Sequence, residues 1–150
     1  MQATGSIEIE RPIDEVFDAA CNAMPHWSDI VVEDELIEDV PGVVGSRFRT
    51  VTQEQGKQMI FEGKVTAYEH PRLQAVHMAG QYFDIDTEFR FEEISGRTRV
   101  TQFADVRGKG FFKVILWTTG WFMKKSQCEA AQNELENLKR FCETSVAATA

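Results

Sequence analysis

The sequence predicts an α+β fold: a seven-stranded antiparallel sheet, two short helices after its first strand, and one long C-terminal helix. Three observations carry this expectation. Between residues 32 and 107, short alternating segments are separated by turn residues at hairpin-length spacing. The clearest segment puts Phe83, Ile85, Thr87, Phe89 and Phe91 on one face and Tyr82, Asp84, Asp86, Glu88, Arg90 and Glu92 on the other. That is the pattern of an antiparallel sheet with one side on a core and one in water. From about Lys109 onward the apolar period changes to that of a helix.

The elements follow in order. Ser6 to Glu10 alternates strictly, which predicts a strand with Ile7 and Ile9 inward. Pro12 suits a first helical turn, and Asp14 and Glu15 suit the positive end of a helix dipole. Ile13, Val16, Phe17, Ala20 and Cys21 then form one apolar stripe. After Pro25, the residues Trp27, Ile30 and Val31 predict a second short helical turn with Trp27 inward. Strands are expected near 32–38, 46–54, 58–69, 72–79, 82–93 and 97–107, punctuated by Pro41-Gly42, Gln55-Gly56, His70-Pro71, Gly80-Gln81 and Ser95-Gly96. In the final helix, Cys128, Ala131, Leu135, Leu138 and Cys142 make one stripe. Its earlier part, Phe111 to Met123, is apolar nearly all round, and a kink or break is expected near Gly120. The tail 144–150 is small and polar, and fraying is expected there.

Composition bounds the function. A chain of 150 residues, 43% hydrophobic, buries about two-thirds of its unfolded surface, so one domain with a real core is expected. With 16 basic and 24 acidic residues the formal charge is −8. This disfavours nucleic acid, which needs a basic stripe, and docking on anionic lipid by charge alone. No basic-then-apolar leader opens the chain, and the apolar stretch in the final helix is too short to span a bilayer. A cytoplasmic location with reduced thiols is the expectation, because three cysteines cannot all pair within the chain. Cys128 and Cys142 lie roughly 21 Å apart along one helix. No Cys or His spacing predicts a metal, and no cofactor motif is present.

Ser6 to Phe17 (SIEIERPIDEVF) resembles the opening of the START/Bet v 1-like (SRPBCC) superfamily, in its polyketide cyclase/dehydrase-like branch. Trp27, Gly45 before a strand, Gly96 to Thr101 (GRTRVT) and Leu135 to Glu143 (LENLKRFCE) fit the same pattern, in order, over residues 5–143. The resemblance implies a helix-grip fold, a curved sheet wrapped around the C-terminal helix with an apolar cavity between them. It further implies binding of lipids, sterols, polyketides or other hydrophobic small molecules, with enzymes a minority. A large concave apolar pocket is the usual place for such a ligand.

Catalytic motifs are mostly missing. There is no G-x-S-x-G, H-E-x-x-H or G-x-G-x-x-G, and Gly108-Lys109-Gly110 lacks the remainder of a phosphate loop and reads as a turn. Asp84 and Asp86 alternate with apolar residues and are expected in water, while Asp105 is a candidate for a cavity mouth. His70 is expected in an exposed turn and His26 on a helix surface. His77 shares a strand face with Leu73, Ala75 and Ala79, where it would be a polar anchor; the competing register puts Val76 and Met78 inward and His77 in water. The ligand-contact candidates are therefore Trp27, Phe61, His77, Phe89, Phe103, Trp117, Trp121 and Cys128. Three functions follow: a carrier of a hydrophobic small molecule, a cyclase/dehydrase-type enzyme moving protons with His77 or Asp105, or a protein-interaction module. The stretch 111–123, if exposed, is a homodimer contact or a lipid-facing gate.

Overall fold

The computed structural model describes residues 2–54 and 56–149, and their side chains except those of 119–124 and 145–149. Strand β1 (Gln2–Ile9) leads into helices α1 (Ile13–Asn22) and α2 (Met24–Trp27). Six strands follow: β2 (Val31–Glu38), β3 (Arg47–Glu54), β4 (Lys57–Glu69), β5 (Leu73–Ala79), β6 (Phe83–Ile94) and β7 (Arg97–Gly108). Helix α3 (Phe111–Thr149) ends the described chain. The seven strands form one antiparallel sheet in the order β1-β7-β6-β5-β4-β3-β2, so β2 to β7 are a meander and β1 closes against the last strand. The turn between β6 and β7 places Ser95 and Gly96 at φ 51° and 84°, the left-handed pair that suits the twist of a two-residue hairpin.

One end of the molecule holds the core. Val16, Phe17 and Ala20 of α1, Trp27 of α2, Phe89, Phe91 and Val100 of the sheet, and Leu135, Leu138 and Cys142 of α3 are buried together. The Phe17 ring meets Tyr68, His70 and Phe91 with centroids 5.6, 4.8 and 4.9 Å away. Helix α3 packs against β1 and β7. It also shields the free edge of β1: the Gln132 amide donates to Ser6 O at 3.0 Å and Lys139 Nζ donates to Glu8 O at 2.9 Å. Covering an edge strand in this way removes a template for unwanted pairing.

Two expectations are corrected. Ile30 and Val31 do not extend α2; Val31 already opens β2. Glu134 of α3 organises that turn by accepting bonds from the Ser28 hydroxyl and, at 2.9 Å, from the Asp29 N–H. Burial pushes the Glu134 carboxyl above its usual range, against the pull of those two donors. The second correction concerns a break at Gly120: the helix is continuous there. One glycine in a helix interior costs only about 1 kcal/mol relative to alanine, too little to break a long hydrogen-bond ladder. Nearby, the Thr118 hydroxyl donates back to Val114 O at 3.0 Å, so it needs no other partner. The helix also runs beyond Glu143, to Thr149. No helix of the described residues is long and apolar enough to cross a membrane.

Candidate ligand cavity

Strand register decides which side chains face α3. Phe89 and Phe91 are core residues against Leu135, so the face they share is the concave one. Following Cα partners across the strands, Phe89 aligns with Gln74 on β5, and with Gln102 and Gly5 on β7 and β1. The next row on that face is Val65, Val76, Thr87, Ala104 and Ala3. Beyond it lie Leu36, Phe48, Gly63, Met78, Ile85 and Val106. The lining is largely apolar, broken by Gln74, Thr87 and Gln102, and it steps down to small residues where large rings lie across the strands. A Cβ at Gly63 would stand 2.2 Å from the Phe48 ring, and one at Gly80 would stand 2.5 Å from the Phe61 ring. These glycines are seats for aromatic side chains laid flat on the sheet.

Because α3 packs on the β1–β7 side, the opposite half of the concave face is incompletely covered. Phe48, Val76, Met78 and Ile85 are half-buried there, and Leu36 at the β2 edge is 61% exposed. Apolar surface left accessible inside a curved sheet is what a hydrophobic ligand would cover.

The candidate residues divide accordingly. Phe61 and Phe89 are buried on the concave face. Cys128 is half-buried, two helical turns before Leu135 and on the same side of α3. Trp27 belongs to the packed core, and its indole N–H donates to Ala19 O at 2.9 Å. His77 and Phe103 lie on the outer face, because Val76 and Met78 take the inward positions of β5 and Gln102 and Ala104 those of β7. Trp117 is exposed, and the Trp121 side chain lies outside the described residues.

On the outer face, His77 Nδ1 is 2.7 Å from Asp86 Oδ1, and the Arg107 guanidinium bonds the other oxygen of that carboxylate. Lys109 Nζ sits 2.9 Å from Asp84 Oδ1, and this hydrogen bond holds the Asp84 carboxyl below its usual range. Asp105 aligns with Asp86 on the same face. Both aspartates of β6 therefore lie on the solvent side, as their alternation predicts. A shallow open groove of about 360 Å³ runs between these rows, lined by Thr4, Ala75, Glu88, Phe103 and Asp105 among others. Among the described residues no group of three or more His, Cys, Asp or Glu is placed to hold a metal ion.

One polar residue of the concave face has no signal in the sequence. Gln102 lies between Phe89 and Gly5, and its side-chain oxygen is buried without a hydrogen-bond partner. Alternation alone places a Gln on a strand as readily in water as in a core. Buried polar atoms are overwhelmingly paired in native proteins, so this oxygen is open to a water or a bound molecule as its partner.

The thiols differ in accessibility. Burial, then the nearby Asp18 charge, pushes the Cys21 thiol far up, and burial pushes Cys142 up to about 12. The thiolate is the reactive form. In the native protein at mildly alkaline pH, a thiol reagent should therefore label Cys128 first, with Cys21 and Cys142 reacting only on unfolding. Mass mapping of the labelled peptides checks this, and early labelling of Cys142 would contradict the packing of α3 on α1.

A curved antiparallel sheet gripping a long C-terminal helix defines a helix-grip fold. The chain belongs to the family described as "Polyketide cyclase / dehydrase and lipid transport", whose sequence profile matches residues 1–143. Its fold is similar to that of a START superfamily protein from Mycobacterium smegmatis, with TM-score 0.81 and 16% identity over 95% of this chain and 97% of that one. A Thermus thermophilus protein aligns over the full length of both chains with TM-score 0.79 and 14% identity. The Zhui aromatase/cyclase of a Streptomyces aligns with TM-score 0.67 and 12% identity over 93% and 94% of the two chains. At these identities the likenesses establish the fold. No curated protein matches the sequence.

Proposed function

We propose that this chain is a single domain that binds a hydrophobic small molecule between the concave face of the sheet and α3, and that Gln102 anchors its polar end. The observation that carries this reading is the apolar concave face left half-exposed around Phe48, Met78 and Ile85, with one unpaired amide deeper under the helix. Phe61, Phe89 and Cys128 are the lining residues assigned to the ligand from the sequence candidates. The family description, naming both cyclase/dehydrase chemistry and lipid transport, supports a hydrophobic ligand of either kind. Of the acid–base groups that a cyclase reading would use, His77 and Asp105 lie on the outer face. A binding role is therefore the reading taken, and a cyclase reading would have to rest instead on Asp34, whose burial-raised carboxyl accepts from Thr50 on the concave side.

The test is displacement of a fluorescent anilinonaphthalene sulfonate by a matched pair, naphthol and naphthalene. The wild-type protein should bind the probe and prefer naphthol. Gln102→Leu should lose that preference, weakening naphthol by about tenfold, the value of roughly one hydrogen bond, while leaving naphthalene unchanged. Removing an orphaned amide should also raise unfolding stability by about 1 kcal/mol. No probe binding to the wild type would sink the cavity reading. An unchanged naphthol preference in the variant would sink only the anchor.

A further inference from the structure

Residues 106–128 carry five of the chain's 16 basic residues (Arg107, Lys109, Lys113, Lys124 and Lys125) and none of its 24 acidic ones. A chain with net charge −8 thus holds a long segment with five cations and no acid, and that segment forms the end of β7 and the first half of α3. The same helix displays large apolar side chains to solvent. Phe111 is 74% exposed, Val114 56% and Trp117 84%, all on one side of its first two turns. Lys113 stands exposed between them.

From these two observations we infer that the start of α3 is a docking surface for an anionic lipid bilayer. A helix with exposed aromatics flanked by lysines lies in a membrane interface, its rings among the acyl chains and its cations at the headgroups. The occupant is chosen by charge. A symmetric contact between two copies would set this basic segment against itself, at a cost in like-charge repulsion. An anionic surface attracts it, and repels the acidic remainder of the chain, so the protein has one orientation on the membrane. Arg107 and Lys109 share their charge with Asp86 and Asp84, and Lys125 Nζ lies 4.0 Å from Glu129, which, among the described side chains of the segment, leaves Lys113 as the cation to test.

The position of the patch fits this role. Phe112 packs on Tyr82 and Phe83, with ring centroids 4.8 and 5.3 Å away, at the end of β6 remote from α1. Helix α1 closes the other end of the concave face with Phe17, and the open end carries the exposed Leu36. A bilayer meeting Phe111 and Trp117 would face that open end. Docking does not depend on the ligand proposed above, and it is tested without one.

The experiment is co-sedimentation of the purified chain with vesicles of phosphatidylcholine alone and of phosphatidylcholine with phosphatidylglycerol, alongside its elution volume on size exclusion. The expected result is binding to the anionic vesicles only, weakened by added salt. Lys113→Glu should lower that binding by about tenfold or more, and Phe111→Ser with Trp117→Ser should abolish it. Both side chains lie largely in water, so these variants should keep the wild-type circular dichroism spectrum. Failure of the wild type to bind anionic vesicles overturns the proposal, as does equal binding by the folded double variant. So does a dimer that the double variant splits while vesicle binding is absent, which would assign the face to a second copy.

Discussion

Phe17→Ala is expected to lower unfolding stability by about 3–5 kcal/mol, the range for emptying a large aromatic site in a core. Phe17 is essentially inaccessible, and its ring is edge-on to Tyr68 and His70 and tilted against Phe91. It therefore joins α1 to the ends of β4 and β6, on either side of the turn that leads to β5. The buried residues of the same cluster, Val16, Ala20 and Val100, are short and cannot reach across the space. Urea unfolding followed by circular dichroism measures the change. A loss below about 1 kcal/mol would mean that α1 is not packed as described. The ligand probe separates the two ends of the molecule: with folding retained at low temperature, Phe17→Ala should leave naphthol preference intact, since Gln102 lies under α3 and not under α1.

The second large effect is expected at the turn into α3, where two glycines two residues apart should behave very differently. A Cβ added at Gly108 would stand 2.4 Å from Phe112 O and 2.5 Å from its carbonyl carbon, and both atoms belong to the backbone of the first helical turn. Backbone cannot swing aside as a side chain can. Gly108→Ala should therefore cost about 3 kcal/mol, the upper part of the range for overpacking. It should also pull Phe112 away from Tyr82 and Phe83 and disturb the Lys109 N–H bond to Tyr82 O. Gly110 has φ +55°, and a Cβ added there would meet nothing within 4 Å, so Gly110→Ala carries only the left-handed penalty of about 1 kcal/mol. Thermal unfolding of both variants checks the order. Equal losses would show that α3 does not begin where Phe112 places it.

This turn also illustrates how far the sequence could be read. Gly108-Lys109-Gly110 is legible as a turn from composition alone, yet its two glycines serve separate needs: one is close approach of backbone, the other a left-handed φ. Only the packed structure separates them. The strands between 31 and 108 were legible because turn residues punctuate them and because β6 alternates so cleanly. The stripe from Cys128 to Cys142 was legible for the same reason, with Leu135, Leu138 and Cys142 all buried as that period requires.

The ligand-facing residues were harder to read. Strand β5, from Leu73 to Ala79, carries apolar residues on both faces, so its alternation does not say which side is inward. An irregularity between Val65 and Ala67 of β4 shifts the pairing by one residue in that same region. A shift of one residue exchanges the two faces of a strand. The regular pairing of β5, β6 and β7 then puts His77 and Phe103 on the outer side with Asp86 and Glu88, and Gln102, which nothing in its neighbours distinguishes, on the inner side with Phe89.

The amino-acid sequence by itself determined the order of elements, the antiparallel meander and the family, because those depend on local periodicity, turn chemistry and the succession of short patterns. The tertiary structure decided which face of each strand meets α3, which amide is left without a partner, and which side of the apolar start of α3 is turned to water. Those outcomes depend on register and on the docking of one long helix against β1 and β7. A helix segment that is apolar nearly all round carries no internal preference for the side it buries, so only its neighbours can set it.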